Sequence, residues 1–319
     1  MPTSRKTQPA NAQHYGSSAA ARILVVGEAL IDIIEKDGSV TEHVGGSPAN
    51  VALTLARLGR EATLVTDIAD DDRGRRITEH LSASGVRVVH GDASRTSTAR
   101  ATLREDGSAQ YVFDLSWNPP TADLSDVTHV HTGSIAIYLE PGGSAVLEIL
   151  EALPAGVTAS VDANIRPALV GGQREALARF ERVAASCEIV KLSDEDAEWL
   201  YPTMHLDGVL ARLLELGAQL AVVTRGGEGL LLASSVARVT VPAESIVVAD
   251  TIGAGDSAMG AILDEAHRQG LGASNGMLVD EPSLHAIGQW AARVAGVTTS
   301  HSGANPPTSA ELRCPKVSR

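Results

Sequence analysis

The residues Ile23-Leu24-Val25-Val26-Gly27 form a short, continuous apolar run that ends in glycine. A run that is apolar at every position is typical of a strand buried on both faces, as in a parallel sheet. Similar runs recur at residues 62–66, 129–132, 157–161, 189–192 and 220–224. Helical patterns lie between them, at residues 48–58, 73–84, 143–153, 173–185, 195–200 and 206–216. This alternation predicts a three-layer α/β fold in which helices flank a mostly parallel sheet.

Two stretches depart from the alternation. Residues 96–118 alternate polar and apolar side chains around Asp106-Gly107, a dipeptide that favours a tight hairpin turn, and with residues 33–44 they are predicted to form a small separate sheet. Residues 230–241 are predicted to form a strand pair that extends the main sheet on its antiparallel side. Neither stretch is large enough for a hydrophobic core of its own.

The length and composition fit one globular domain. The chain has 319 residues, of which 44% are hydrophobic and only 3% aromatic, so a core of small aliphatic side chains around glycine turns is expected. We predict a domain over residues 22–313, a disordered arm over residues 1–21 that is rich in Ser, Ala, Gln and Asn, and a short tail over residues 314–319.

The charge balance excludes some classes of partner. A formal net charge of −13 repels nucleic acid and anionic membrane surfaces, although backbone N–H groups can still bind a small phosphate locally. No apolar run approaches the ~18 residues of a membrane span. The two cysteines, Cys187 and Cys314, are too few for a disulfide framework and lack metal-ligand spacing, which favours a reducing, cytoplasmic compartment.

A glycine turn in the last third of the chain carries the strongest chemical signal. Residues 246–249 are predicted to form a strand, residues 250–256 a turn, and the residues that follow an amphipathic helix. The N–H groups that can converge on an anion at the positive end of this helix belong to Gly253, Ala254 and Gly255. A carboxylate beside a bound phosphate repels it, so an acidic residue is expected there only where a hydroxyl must be oriented or deprotonated. Asp256 therefore indicates a phosphoryl-transfer site. The alternative is that Asp256 is an N-cap of the helix.

A second glycine motif begins another helix. Ser47 is predicted as its N-cap, Pro48 as its first helical residue and Gly59 as its C-terminal cap. Asn50 falls in the first turn, where its amide can hydrogen-bond a polyol or simply solvate the helix start. The preceding glycines are Gly45 and Gly46, and they allow a ligand to touch the backbone.

Weaker signals follow three other predicted strands. Asp32 lies five residues beyond Gly27, near the carboxyl edge of the sheet where open α/β folds bind ligands. Residues 162–167 gather a carboxylate, an amide and a guanidinium, and Arg166 either neutralises phosphate charge or forms a structural salt bridge. Residues 224–229 are glycine-rich, but their spacing is wrong for a dinucleotide fingerprint and a strand follows.

The two glycine motifs, in this order and about two hundred residues apart, resemble the two signatures of the ribokinase-like, or phosphofructokinase-B-type, carbohydrate kinases. The likeness runs from Ile23 to about Leu312. Within the family the chain is most similar to bacterial fructokinases. The stretches that carry this narrower likeness are Gly27-Glu28 with Asp32, residues 162–167, residues 191–195 and residues 303–308.

The resemblance implies a role for each matching residue. It makes Asp256 the base toward a sugar hydroxyl and makes Gly253, Ala254 and Gly255 the anion hole. Arg166 is added to the catalytic set on its own chemistry, because a guanidinium near the carboxyl end of a strand can stabilise charge on the transferring phosphoryl group. Sugar binding is implied for Asp32, Gly45, Gly46, Asn50 and Asn164. Nucleotide contacts are implied for Ser193, Thr224, Gly226 and Gly229. The donor is expected to be Mg-ATP, and the small sheet is expected to be a lid over the sugar and a homodimer contact. The residues expected near metal ions are Asp250, Ile252 and Asp196. Among these, Asp250 and the Ile252 carbonyl are expected to hold K⁺.

Three departures from the family pattern concern the edges of this site. Ile252 replaces a threonine in the anion-hole motif. Ser193 and Asp196 occupy the places of an asparagine and a glutamate that help to organise magnesium. His301 stands where related sequences often have arginine, which concerns the nucleotide pocket.

The leading hypothesis is an ATP-dependent kinase of fructose or a related ketose. Kinases of 2-keto-3-deoxygluconate, ribose or a nucleoside are alternatives, and a nucleoside would favour aromatic stacking by Tyr111, Phe113 or Trp117. A catalytically silent sugar-binding relative is the alternative from another class, and the retention of Asp256 argues against it.

Overall fold

The computed structural model describes residues 21–36, 38–103, 109–271 and 279–313, without the side chains of residues 103, 109 and 110. The predicted arm lies outside these residues except for Ala21, which is buried. The predicted tail, with Cys314, and the Asp106-Gly107 turn also lie outside them. Among the described helices, none has the length and apolar character needed to cross a membrane.

A nine-stranded sheet forms the centre of the domain. Its strands in chain order are β1 (Arg22–Val26), β4 (Glu61–Thr66), β5 (Arg87–His90), β8 (His129–Gly133), β9 (Thr158–Asp162), β10 (Ile189–Ser193), β11 (Leu220–Thr224), β12 (Leu230–Ala233) and β13 (Arg238–Val241). The spatial order is β13-β12-β11-β10-β9-β8-β1-β4-β5. All neighbours pair in parallel from β11 to β5, whereas β12 and β13 are antiparallel. The predicted strands and the antiparallel extension at residues 230–241 are therefore confirmed.

Helices cover both faces of this sheet. They are α1 (Ser47–Arg57), α2 (Asp72–Ser82), α3 (Gly142–Glu151), α4 (Gln173–Ala184), α5 (Asp194–Leu200), α6 (Leu206–Glu215), α7 (Ala254–Arg268), α8 (Glu281–Thr299) and α9 (Ser309–Arg313). The aliphatic core on one face packs α1, α2, α7 and α8 against the sheet, and the core on the other face packs α3, α4, α5 and α6. The three-layer prediction is confirmed.

The small separate sheet has four strands. They are β2 (Leu30–Lys36), β3 (Ser39–Gly45), β6 (Thr98–Leu103) and β7 (Ala109–Asp114), in the order β3-β2-β6-β7. The β2–β6 pairing is parallel and the outer pairings are antiparallel. The small sheet thus joins the two stretches predicted for it, and it starts at Leu30, three residues before the predicted boundary.

One strand prediction was wrong. Residues 246–249 are not a strand, and the Ala249 N–H donates instead to the Thr299 carbonyl at the end of α8. The apolar run lies on the surface, with Val247 90% exposed, because the chain has already left the sheet edge at Val241 and has no strand to pair with. Three further elements, β5, α8 and α9, were not predicted.

The parallel strands bring their carboxyl ends to a single edge of the sheet. Glu28 follows β1, Ser134 follows β8, Asn164 follows β9 and Ser193 ends β10. The small sheet grows out of this same edge, because Ala29 alone separates β2 from Glu28. Side chains that are far apart in sequence therefore meet here.

Candidate active site

The glycine turn predicted at residues 250–256 is shorter than expected, because α7 already begins at Ala254. Gly253 is the N-cap residue, with a left-handed φ of +76°, and no side chain caps this 15-residue helix. The Ala254 N–H donates to the Thr251 carbonyl at 3.3 Å, whereas the described residues offer no acceptor to the N–H groups of Gly253 and Gly255 at the positive end of the helix dipole. The structure places Gly253, Ala254 and Gly255 at the start of α7, and the alternative that Asp256 is the N-cap is wrong because Asp256 lies inside the first turn.

Asp256 is buried and hydrogen-bonded to α1. The Ser47 hydroxyl donates to Asp256 Oδ1 at 2.7 Å, and the Asn50 amide donates to Oδ2 at 2.8 Å. One helical turn further on, α1 and α7 touch where Gly260 faces Thr54, and a Cβ at position 260 would come within 2.7 Å of the threonine Cβ. This close approach brings the first turns of the two helices together at Asp256.

Ser47 was predicted as the N-cap of α1, and this prediction was wrong. The N-cap is Gly46, with φ of +105°, and Ser47 is the first helical residue. A Cβ at position 46 would come within 2.5 Å of the Glu28 carbonyl oxygen, so glycine fits the cap position and a serine does not. The Ser47 hydroxyl is therefore free to hold Asp256. Gly59 follows Leu58, the C-cap residue of α1, with φ of +93°, as expected for a glycine that ends a helix.

Two carboxyl groups, the buried Glu28 and the partly buried Asp32, lie near Asp256. Burial raises the pKa of Glu28 to about 8, and hydrogen bonds from its own backbone and from Ser134, together with Arg166, offset only part of this effect. Burial likewise raises the pKa of Asp32 to about 6, and here Arg166 and His43 oppose the rise. The negative charge of Asp256 adds to both shifts, which places these groups in one electrostatic neighbourhood.

The predicted sugar-binding residues surround this neighbourhood. Asp32 lies within β2 and not immediately after the first strand of the main sheet, and its carboxylate packs directly against Gly45. Asn164 has a left-handed φ of +35°, and its side-chain oxygen accepts a hydrogen bond from Arg166 at 2.7 Å. Arg166 is exposed, so its remaining N–H groups can meet a ligand.

Asp250 ties the glycine turn to the loop after α8. Its Oδ1 accepts a hydrogen bond from the Ile252 N–H at 3.0 Å, and its Oδ2 accepts one from the Gly303 N–H at 2.9 Å. These bonds hold the pKa of Asp250 below its usual value. His301 stands near the Asn305 carbonyl at 3.1 Å, in the same loop. The Ile252 side chain is half exposed, so the backbone and not the side chain of this position faces Asp250.

Ser193 and Asp196 form a reciprocal cap at the start of α5. Ser193 Oγ accepts from the Asp196 N–H at 3.0 Å, and Asp196 Oδ2 accepts from the Ser193 N–H at 2.9 Å. Asp196 Oδ1 accepts from the Ile165 N–H at 2.8 Å. Asp196 therefore joins α5 to the loop that carries Asn164 and Arg166. Within the described residues, no group of three or more acidic, His or Cys side chains is arranged to hold a metal ion.

The glycine-rich stretch after β11 lies further along the same edge. Thr224 is the last residue of β11, and Gly226 begins a short 3₁₀ turn. Gly229 packs directly against the Val241 carbonyl, so it serves the antiparallel extension of the sheet. The prediction that a strand and not a helix follows this stretch is confirmed.

Sequence reasoning gave no role to several residues of this edge. Glu28 and Lys191 were noted only as part of a motif, and Ser47 was assigned to a cap. Lys191 lies between the apolar residues Val190 and Leu192 of a buried strand, and a lysine in such a place is a signal for a functional charge. The partners of Ser47 gave no such signal, because its hydrogen bond spans 209 residues.

Comparison with known proteins yields a single family. Residues 20–311 match the model of the pfkB family carbohydrate kinases. A fructokinase of Rhizobium leguminosarum bv. trifolii is 36% identical over 74% of this chain and 76% of its own length. The ATP-bound crystal structure of fructokinase from Xylella fastidiosa superposes with a TM-score of 0.78, at 26% identity over 89% of this chain and 93% of that one. A double mutant of Vibrio cholerae O395 fructokinase, in a form with fructose, ADP and potassium bound, gives a TM-score of 0.76 at 25% identity over 93% of this chain and 98% of that one.

Proposed function

The chain belongs to the pfkB family of carbohydrate kinases, and we propose that it phosphorylates a hydroxyl of fructose, or of a related ketose, with Mg-ATP as the donor. The observation that carries this proposal is the arrangement of Asp256 between two helices. Ser47 and Asn50 of one signature hold the carboxylate of the other at 2.7 and 2.8 Å, at the start of an uncapped helix.

Asp256 serves as the general base in this proposal. Its two hydrogen bonds come from neutral donors, and each carboxylate oxygen keeps a lone pair for a substrate hydroxyl. The sugar O–H proton passes to Asp256 while the sugar oxygen bonds to the γ-phosphorus. The bond between that phosphorus and the bridging oxygen breaks, and ADP leaves with the bond's electron pair. The first-turn N–H groups at Gly253, Ala254 and Gly255 stabilise the charge on the transferring group.

The sugar contacts are proposed from the groups around Asp256. Asp32 accepts hydrogen bonds from sugar hydroxyls, and Arg166 and Asn164 donate from the opposite loop. Glu28, with its pKa near 8, carries a proton at neutral pH and can both donate and accept. A mixed set of donors and acceptors suits a polyol, whose every hydroxyl needs both. The small sheet would cover the sugar as a lid.

Magnesium enters this proposal with the nucleotide. Mg²⁺ is usually held by one or two carboxylates, waters and substrate phosphates, and it needs no cage of protein ligands. Asp196 and Ser193 would lie near it through the loops they cap, and Thr224, Gly226 and Gly229 would line the nucleotide. A potassium site at Asp250 and the Ile252 carbonyl is supported by the potassium in the Vibrio cholerae structure.

A homodimer in a reducing compartment completes the proposal. The small sheet exposes Val40, Tyr111 and Val112, each more than half accessible, which is the kind of surface that a second copy would cover. Cys187 is a buried free thiol. A sedimentation measurement of the mass in solution tests the dimer, and a monomer at all concentrations would reject it.

A substrate panel tests the function. We expect ATP consumption to be fastest with fructose among fructose, ribose, 2-keto-3-deoxygluconate and adenosine, with the product identified by mass and by NMR. Faster turnover of another member of the panel would show that fructose is not the preferred substrate, while the assignment as a kinase would stand. An absence of turnover with every member, from protein that still binds fructose, would favour the silent sugar-binding alternative.

A further inference from the structure

A buried ion pair lies beneath the glycine turn. Lys191 Nζ stands 2.7 Å from Asp162 Oδ2, and the two side chains are only 3% and 1% exposed. Lys191 is the third residue of β10 and Asp162 the last residue of β9, and the two positions are directly paired in the sheet. Such a pair is seldom present for stability, because the cost of removing two charges from water consumes most of their attraction.

The position of the ammonium relative to α7 is unfavourable unless an anion binds. A Cβ built on Gly255 would lie 3.6 Å from Lys191 Nζ, which places the cation at the first turn of α7. This end of a helix carries partial positive charge and repels cations. Asp162 offsets the conflict only in part, since its other oxygen, Oδ1, has no hydrogen-bond partner within the described residues.

Neutral polar side chains lie near Lys191 on the two strands that precede β10 in the sheet. His131 on β8 lies close enough for its pKa to be lowered by the lysine charge as well as by burial. His131 Nδ1 is 2.9 Å from Ser160 Oγ, and His129 Nε2 is 2.7 Å from the same oxygen. This buried polar stripe holds neutral side chains beside the lysine, so Asp162 is the only carboxylate in contact with the ammonium among the residues that the structure describes.

We propose that Lys191 is a positioning residue for the phosphoryl group: its buried charge, balanced by Asp162 when no ligand is present, strengthens the anion site formed by Gly253, Ala254 and Gly255. The inference rests on the function proposed above. Lys191 acts through its electrostatic field, with the glycine turn between it and the ligand, and not by direct contact. The stabilisation from this field increases as negative charge accumulates at the transferring group.

The test compares binding of two ligands that differ only at the transferring group. ADP with fructose represents the product side, and ADP with fructose and aluminium fluoride represents the transferring phosphoryl. The variant Lys191→Met/Asp162→Asn removes both charges together, and Arg212→Met/Glu181→Gln removes another ion pair, on the outer face of α4 and α6, as a matched control. Calorimetry gives both dissociation constants for each full-length protein.

We expect the gain in affinity from aluminium fluoride to fall about 10- to 100-fold in the Lys191 variant. This is the range found when a residue that orients or supports a binding group, without touching the ligand, is replaced. Binding of ADP alone should change little, and the control should keep the full gain. An unchanged gain in the Lys191 variant, or an equal loss in the control, overturns the proposal. If the double variant does not fold, the single variant Asp162→Asn provides the test. It keeps the Lys191 ammonium without its counter-charge, so the gain in affinity from aluminium fluoride should be larger than in the wild type. A gain in affinity equal to or smaller than that of the wild type overturns the proposal.

The wild-type protein separates this inference from the proposed function. If it neither phosphorylates a sugar of the panel nor binds ADP, the proposed function fails. Inorganic pyrophosphate is then the probe for the turn. Weaker pyrophosphate binding by the double variant than by the wild type supports the role of Lys191, and equal binding, or none to the wild type, overturns it.

Discussion

Helix α7 carries two buried aspartates, and they differ in what surrounds them. Asp256, in the first turn, receives hydrogen bonds from the neutral side chains of Ser47 and Asn50. Asp264, two turns later, contacts Arg60 at 2.6 Å, Arg268 at 3.0 Å and the Trp290 indole N–H at 2.9 Å. Asp264 has its charge cancelled and its oxygens occupied, whereas Asp256 keeps a charge that no cation contacts within the described residues. The same residue type on one helix is therefore suited to structure at one end and to proton transfer at the other.

Replacing Asp256 by asparagine should have the largest effect on activity. The new amide can accept from Asn50 through its oxygen and donate to the Ser47 hydroxyl through its nitrogen, so both hydrogen bonds survive and the fold is expected to persist. The proton acceptor is lost, and kcat should fall about 10²- to 10⁴-fold. Turnover at saturating sugar and ATP measures the loss, and circular dichroism checks the fold. Near wild-type kcat would sink the general-base assignment.

Asp264→Asn should reverse this pattern. Removing one member of a buried ionic cluster leaves charges unpaired, and we expect the free energy of unfolding to fall by about 3 kcal/mol, at the lower end for such pairs because the half-exposed Arg268 can turn to water. The kcat of the folded fraction should change little. Denaturant unfolding and active-site titration separate the two quantities, and a loss of kcat without a loss of stability would contradict the comparison.

Ser47→Ala sharpens the comparison by weakening the hold on Asp256 alone. The carboxylate keeps Asn50 but gains freedom, so kcat should fall about tenfold, which corresponds to roughly 1.4 kcal/mol, a typical value for one hydrogen bond to a charged group. Thermal unfolding of Ser47→Ala provides the control for fold. If Ser47→Ala lowered stability strongly and left kcat intact, Ser47 would belong with the structural set around Asp264.

Glu28→Gln should have the smallest effect on kcat at neutral pH, because glutamine, like a protonated carboxyl group, both donates and accepts hydrogen bonds, and its main effect should be on stability. The folded-state pKa of Glu28, about 8, lies above its ordinary value of 4.5, so the folded protein holds a proton that the unfolded chain releases between these values. The free energy of unfolding therefore falls as pH rises through that window, and the neutral glutamine removes this loss. The advantage of Glu28→Gln over wild type should grow from pH 5 to pH 8, by at most about 1.4 kcal/mol per pH unit. A constant difference across this range would mean that Glu28 is ionised in the fold.

Local patterns predicted much of the fold and only part of the site. The central strands and the presence of a helix after the glycine turn were predictable because buried apolar runs and a glycine turn are properties of neighbouring residues, although the helix begins at Ala254 and not after Asp256. Residues 246–249 looked like one more strand, yet a strand needs a partner, and none of the strands in the described part of the chain pairs with this stretch. The partnership of Ser47 with Asp256 depends on two helices that meet only in the folded protein. The sequence showed Lys191 as a charge inside a buried strand. Its proposed role could be inferred only from the folded structure, in which its ammonium lies next to Gly255 in the first turn of α7.

The hydrogen bonds from α1 to Asp256 join two parts of the chain that are made at different times during translation. Ser47 and Asp256 are separated by 209 residues, so at about 5 to 20 residues per second the ribosome makes the first roughly 10 to 40 s before the second. Until then the nascent chain contains neither α7 nor the turn before it. When Asp256 is made, its carboxylate can receive the hydrogen bonds from Ser47 and Asn50 only if α1 is already packed against the sheet. An incomplete polypeptide thus lacks the parts needed to split ATP wastefully, and competence for phosphoryl transfer arises only near the end of translation.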